Sequence, residues 1–316
     1  IANLRGLVLL AAGDRAGAIA ALSDAVRLGS NEPQYAMNLA RAHLAAGDAK
    51  AALATMDRLL AADAGNVMAL QVATALALQG RQVEQAAAYL ERLQRVAPES
   101  PTVERLQGDL AMAQKRYKDA LEAYRRAGAR GKDLELVLAE YEAGRRAGAG
   151  DPVKGVEEWV ATHPQDVAAV RIVAQAKLLS GNQDAAIQLY EQGLAGHPDD
   201  VAMLNNLAVL YQQKGDARAL ETAKRAHELS PQSAAVADTY AWILVGAGRE
   251  AEAVPLLKSA VAGEPRAAEI RYHYAVALAG TDRKGEALTE LRQALAGELS
   301  PAVRTDAQKL LGQLSK

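Results

Sequence analysis

The sequence contains no cysteine and no phenylalanine, and only two of its 316 residues are tryptophan. The lack of cysteine excludes disulfide bonds and thiol chemistry, although it does not distinguish a periplasmic from a cytoplasmic protein. No stretch reaches the roughly 18 consecutive apolar residues that a membrane-spanning helix needs. The net charge of -2 lacks the basic excess by which proteins bind nucleic acid, so we expect no nucleic-acid partner.

Prolines, glycines and alanines recur at a fixed interval in the second half of the chain. The prolines Pro164, Pro198, Pro231 and Pro265 are 34, 33 and 34 residues apart, and one column of glycines and one of alanines keep the same spacing. A period near 34 residues indicates a helix-turn-helix repeat that stacks into a solenoid. We therefore predict a single continuous array over residues 1–316.

Each unit is predicted to contain two helices, helix A and helix B, joined by a turn. In the seventh unit, apolar residues follow Met203 at helical spacing, and Gly215 is expected to end helix A. Residues 301–314 carry one apolar stripe and are predicted to form a capping helix over the last unit. Other units are expected to begin near Pro33, Asn66, Pro101, Val167, Ala234 and Ala268.

Residues 128–152 fit the repeat poorly, because the turn glycine is displaced within a segment rich in glycine, alanine and arginine. We expect a weak joint there. It is either a degenerate repeat that still stacks or a bend between two halves of the array. Asp151 followed by Pro152 predicts a helix start, since proline is favoured at the first helical position.

Sequence signals for catalysis are lacking. We find no phosphate-binding loop of the GxxxxGK[ST] type and no HExxH zinc pair. His163 and His197 hold equivalent places in neighbouring repeats, about 8–10 Å or more apart. That separation is too large for one zinc ion, whose ligands lie at about 2.0–2.1 Å. We predict a protein without enzymatic activity, with no catalytic residues, no cofactor and no metal site.

The units resemble the tetratricopeptide repeat (TPR), whose pattern has small residues at its eighth, twentieth and twenty-seventh positions and an aromatic residue near its twenty-fourth. Gly108, Ala120, Tyr124 and Ala127 fit this pattern. The resemblance implies an all-α fold, a right-handed TPR superhelix (α-solenoid) of about nine helix-turn-helix repeats plus the C-terminal capping helix. It also implies a scaffold that binds a protein or peptide.

A narrower resemblance lies in residues 204–216, 238–244 and 270–274. These runs are similar to the TPR-repeat lipoproteins associated with exopolysaccharide and PEP-CTERM/exosortase loci in Gram-negative bacteria. The resemblance implies a periplasmic protein, held at the outer membrane by a lipid attached upstream of Ile1, that scaffolds polysaccharide export or protein sorting. A cytoplasmic location is the alternative.

The TPR resemblance also implies where a partner binds, since helix A of this family lines a concave groove. Four positions of that helix point inwards and combine a polar stripe with an apolar one, which suits an extended peptide. Asn206 matches one position of a carboxylate clamp known in some relatives. Only Arg171 is basic among the partner positions, which fall at Arg171, Gln175, Ala235 and Thr239, so such a clamp is not expected. The predicted groove residues are Arg171, Gln175, Asn205, Val209, Gln212, Asp238, Trp242 and Tyr272.

Two other functions remain open at this point. The rings of Trp242 and Tyr272 would stack on sugars if their faces were exposed, which would indicate a polysaccharide-binding module. Alternatively, the ends or concave faces of the solenoid join copies of the chain in a self-assembling scaffold. Trp242 is equally compatible with a place in the core, and Arg171 and Asp238 with ion pairs between repeats.

Overall fold

The computed structural model describes residues 1–29 and 32–315, which fold into nineteen α-helices without a β-strand. From α1 to α18, odd-numbered helices are helices A of the repeat and even-numbered helices are helices B, and α19 follows the last pair. The helices are α1 (Ala2–Ala11), α2 (Arg15–Leu28), α3 (Pro33–Ala45), α4 (Ala49–Ala62), α5 (Val67–Gln79), α6 (Val83–Val96), α7 (Pro101–Ala113), α8 (Tyr117–Gly128), α9 (Leu134–Ala147), α10 (Lys154–Thr162), α11 (Val167–Leu179), α12 (Gln183–Gly196), α13 (Val201–Gln213), α14 (Ala219–Leu229), α15 (Ala234–Gly246), α16 (Glu250–Gly263), α17 (Ala268–Gly280), α18 (Lys284–Ala296) and α19 (Pro301–Leu314).

The seventh unit shows how the sequence produces a helix pair. The Asp200 carboxylate accepts a hydrogen bond from the Met203 amide at 2.8 Å, which satisfies one free N–H at the start of α13. Met203 and Leu207 are buried on one side of the helix. Gly215 follows the helix with a φ of 68°, a left-handed conformation that costs glycine little. The all-α, helix-pair prediction is confirmed, and α13 begins and ends as expected.

The alanine column holds the two helices of a unit close together. Ala186, Ala253 and Ala287 are 0% exposed and Ala219 is 6% exposed. A larger side chain at these points would separate helix A from helix B, because packed interiors leave few voids. The recurring alanines are therefore explained by close packing of the two helices and do not indicate a binding site.

The chain divides into two compact units, Ile1–Val156 and Glu157–Lys316. This division lies just after the segment 128–152, for which a bend or weak joint stays a prediction. The predicted helix start at Asp151 and Pro152 is wrong, because α10 begins at Lys154. The Asp151 carboxylate instead accepts from the Val153 amide at 3.2 Å, two residues on, and closes a turn ahead of the helix.

In the described part of the chain, no helix combines the length and the apolar character required to cross a membrane.

A hydrogen bond joins α7 to α8 in the first compact unit, Ile1–Val156. The Tyr124 hydroxyl donates to the Asp109 carboxylate at 2.7 Å. Burial raises the pKa of Asp109 above its usual value, and the hydrogen bond from Tyr124 and the charge of Arg105 oppose that rise. Because the folded pKa is the higher one, ionisation of this carboxyl opposes folding.

We expect Asp109→Asn to make the protein more stable than the wild type at pH 7 but not at pH 4. The wild type loses this stability as the pH rises through the raised pKa of Asp109, whereas the amide does not ionise. Urea unfolding of both proteins at the two pH values measures the effect. An equal difference between the two proteins at pH 4 and pH 7 would show that ionisation of Asp109 is not involved.

Candidate binding surfaces

The predicted groove residues lie on the helices A of the second compact unit, and their exposure decreases from α11 to α17. The two on α11 are exposed, those on α13 and α15 are half-buried, and the one on α17 is buried. In chain order they are Arg171 and Gln175 on α11, Asn205, Val209 and Gln212 on α13, Asp238 and Trp242 on α15, and Tyr272 on α17.

Two adjacent asparagines on α13 have different surroundings. The Asn206 side-chain amide donates to the Tyr190 hydroxyl at 3.2 Å, so it joins α13 to α12. The Oδ1 atom of Asn205 is buried and accepts no hydrogen bond from any residue in the described ranges. A buried acceptor left unpaired costs about 1–3 kcal/mol. Asn205 as a whole is only half-buried, so a turn of its side chain that brings the oxygen to a donor of a partner would relieve this cost.

Trp242 packs between repeats. Its indole stacks on the His273 imidazole with ring centroids 4.0 Å apart, and His273 Nδ1 lies 2.8 Å from the Asp238 carboxylate. Asp238 therefore pairs across repeats, one of the two alternatives that the sequence left open for it. Gln212 also bonds towards α15, donating to the Trp242 carbonyl at 3.4 Å.

Tyr272 lies in the core and not on an open groove. It is 9% exposed and packs in one cluster with Leu291 and Ala307, so α18 and α19 both contribute to its surroundings. With Tyr272 buried and one face of Trp242 covered by His273, the two rings do not offer the exposed faces that sugar stacking needs. The open part of the predicted surface is thus on α11 and α13.

A second surface was not predicted from the sequence. A cavity of about 660 Å³ lies between two helices B, α10 and α12, with α11 between them. We call it the α10–α12 groove. Its lining is mainly apolar and includes Val160, Val173 and Leu189, and the Glu157 carboxylate and Lys177 ammonium, 2.6 Å apart, add an ion pair.

Sequence comparison identifies the repeat. One tetratricopeptide-repeat profile matches residues 3–67, 75–133 and 157–234, and a second matches residues 202–300. The chain belongs to the tetratricopeptide-repeat family. TPR repeats generally mediate protein–protein interaction, and this scaffold fold is typically non-enzymatic, with no catalytic family indicated. None of the curated proteins matches the chain.

Several solved structures resemble the chain at low sequence identity. One chain in the structure of the APC/C hetero-tetramer Cut9-Hcn1 is 14% identical over 94% of this chain and 58% of its own length, with a TM-score of 0.53, which is consistent with an α-solenoid. A TPR protein from Parabacteroides merdae ATCC 43184 is 16% identical over 88% of this chain and 97% of its own, with a TM-score of 0.42. MamA from Desulfovibrio magneticus RS-1 is 18% identical over 46% and 81%, with a TM-score of 0.40.

Proposed function

We propose that this TPR protein is a non-enzymatic scaffold that binds an extended segment of a partner protein along the helix A face of α11 and α13. The TPR family supports protein binding in general. The observation that carries the location is Asn205, whose buried Oδ1 atom accepts no hydrogen bond from the described residues. Once the half-buried Asn205 side chain turns outwards, a main-chain N–H of the partner can donate to this oxygen, because an extended peptide presents such groups along its whole length.

The neighbouring side chains supply complementary groups. Arg171 and Gln175 are exposed one turn apart on α11 and can donate to main-chain carbonyls of the same peptide. Val209 lies one turn after Asn205 on α13, half-buried, and offers an apolar contact. This combination favours binding through the peptide backbone, with side chains of the partner adding specificity.

We also propose a cellular role for this protein and its partner. The partner belongs to envelope machinery for exopolysaccharide export or protein sorting, and this chain acts in the periplasm with a lipid anchor upstream. The support for this step is the resemblance of residues 204–216, 238–244 and 270–274 to repeat lipoproteins of such loci.

Site-specific photocrosslinking in the native organism tests both steps. A photoreactive amino acid replaces Gln175, which is exposed on α11, and a matched protein carries it at Arg292, which is exposed on helix B α18. We expect envelope-export or sorting proteins to crosslink at position 175 only, and Asn205→Ala to abolish the capture. Equal crosslinking at both positions would contradict the surface, and capture of cytoplasmic proteins would contradict the envelope role.

The two asparagines of α13 give a matched pair for separating binding from stability. We expect Asn205→Ala not to lower the free energy of unfolding, since the acceptor that it removes is already unpaired and costs the folded protein free energy. Asn206→Ala should cost about 1–3 kcal/mol, because it leaves the buried Tyr190 hydroxyl without its partner. Urea unfolding of both variants checks this, and equal losses would show that Asn205 is a structural residue.

A further inference from the structure

The α10–α12 groove has an equivalent one repeat later, between α12 and α14 over α13, and the two can be compared position by position. Glu157 and Glu191 each stand seven residues before the proline that ends their unit, at Pro164 and Pro198. Lys177 and Tyr211 each stand ten residues after the first residue of their helix A.

Arg218 immediately precedes Ala219 of the buried alanine column, as Ala185 precedes Ala186. The groove between α10 and α12 therefore has lysine where its neighbour has tyrosine, and alanine where its neighbour has arginine. These two differences remove an aromatic ring and a guanidinium group from the first groove.

Side chains of the protein itself occupy the second groove. The Tyr211 ring is 3% exposed, and its hydroxyl donates to the Glu191 carboxylate at 2.6 Å. The Arg218 guanidinium lies over the ring, 4.1 Å from its centroid, and donates to the same carboxylate oxygen at 2.7 Å. A tyrosine and an arginine that share one glutamate thus fill this place in the repeat.

The α10–α12 groove keeps the glutamate but lacks the other two groups. Glu157 is bound by Lys177, yet 38% of its side chain is exposed. A carboxylate oxygen accepts more than one hydrogen bond, as the Glu191 oxygen does from Tyr211 and Arg218. Val160, Val173 and Leu189 provide the apolar walls that an aromatic ring needs. The cavity of about 660 Å³ is within the usual range of ligand pockets, about 300–1,000 Å³.

We propose that the α10–α12 groove is a second protein-binding site, which takes a peptide segment with a tyrosine next to an arginine from a partner protein. The tyrosine ring enters between Val160, Val173 and Leu189 and its hydroxyl donates to Glu157. The arginine stacks on the outer face of the ring, as Arg218 does on Tyr211. This site lies mainly on the helices B α10 and α12 and takes Val173 and Lys177 from α11, whereas the surface proposed above uses Arg171 and Gln175 of α11. The second proposal therefore does not depend on the first.

Methyl NMR titration of the full chain tests the site directly. The probes are blocked octapeptides of alanine with Tyr-Arg, Tyr-Ala, Ala-Arg or Ala-Ala at the centre. We expect the Tyr-Arg peptide to shift the methyl signals of Val160, Val173 and Leu189, with at least tenfold weaker binding of the other three. Shifts at Val209 alone would place the peptide on the helix A face and overturn the proposal, as would equal effects of all four peptides or none.

A variant that rebuilds the filled groove provides the second test. Lys177→Tyr with Ala185→Arg copies the pair found one repeat later, and it should fold while losing at least tenfold in affinity for the Tyr-Arg peptide. The matched control is Asp119→Arg, at the position equivalent to Ala185 in a smaller cavity of about 310 Å³ between α6 and α8. It should bind like the wild type. Undiminished binding by the filled variant would contradict the proposal.

The filled variant also distinguishes this proposal from the helix A scaffold. Lys177→Tyr with Ala185→Arg should leave photocrosslinking at position 175 unchanged, since that position lies on the other surface. If crosslinking at position 175 and binding of the Tyr-Arg peptide were both lost, the two proposals would describe one shared site and the proposal of two separate sites would be contradicted.

Discussion

Gly108→Ala is expected to lower the free energy of unfolding by about 2–3 kcal/mol, although alanine is the better helix former by about 1 kcal/mol. Gly108 lies in α7, and a Cβ atom there would overlap three ring atoms of Tyr124 in α8. The ring cannot simply move away, because Tyr124 is 3% exposed and its hydroxyl is bonded to Asp109. The added methyl group must therefore force the two helices apart or break that hydrogen bond.

Two controls separate this clash from general effects of the substitution. Gly312→Ala, in α19, places a methyl group where no atom lies within 4 Å, so it should stabilise the helix by up to about 1 kcal/mol. Tyr124→Ala should cost much less in the Gly108→Ala background than in the wild type, because it removes the atoms that clash. Urea unfolding followed by circular dichroism measures the wild type and the four variants. A Gly108→Ala variant as stable as the wild type would show that α7 and α8 can separate freely.

The fold was predictable because the repeat marks its own boundaries. Proline and glycine stand at helix ends for local backbone reasons, and neither depends on distant contacts. Helices α3, α7 and α19 accordingly begin at Pro33, Pro101 and Pro301. The start of α10 was missed since Asp151 can satisfy a turn amide as readily as a helix amide, and sequence alone does not distinguish the two.

The candidate sites were predictable only in part. Position within the repeat indicates which face of helix A a residue lies on, but not what covers that face. Tyr272 is buried by residues of α18 and α19 that its own repeat does not contain. Exposure of Arg171 and the unpaired Asn205 oxygen likewise depend on packing between repeats.

The α10–α12 groove did leave a signal in the sequence. Comparing Lys177 and Ala185 with Tyr211 and Arg218, one repeat later, shows the loss of two large side chains. That signal has meaning only after the structure shows that the later pair fills a groove. Comparison of equivalent places in successive repeats can thus indicate a candidate binding site.

Ala307→Glu is expected to detach α19, with an apparent cost of about 3 kcal/mol or more to the docking of this helix. Ala307 is 0% exposed and lies in one cluster with Tyr272, Leu291 and Ala294, where a carboxylate would be buried among apolar groups. Gln308→Glu adds the same charge at an exposed position of the same helix and should have little effect. Hydrogen exchange should show rapid exchange across Pro301–Leu314 in the first variant only.

How far the loss of hydrogen-exchange protection spreads in the Ala307→Glu variant distinguishes local from global unfolding. In a repeat array each unit contacts only its neighbours, so losing the last helix should leave the earlier repeats protected. Trp242 is partly buried in the same cluster as Ala307, and its fluorescence should shift to longer wavelength once α19 separates. Loss of protection that spreads to α13 would mean that the second compact unit, Glu157–Lys316, unfolds cooperatively. In that case Tyr272 and Trp242 stabilise the whole unit, since their packing would link the last helix to repeats that it does not contact.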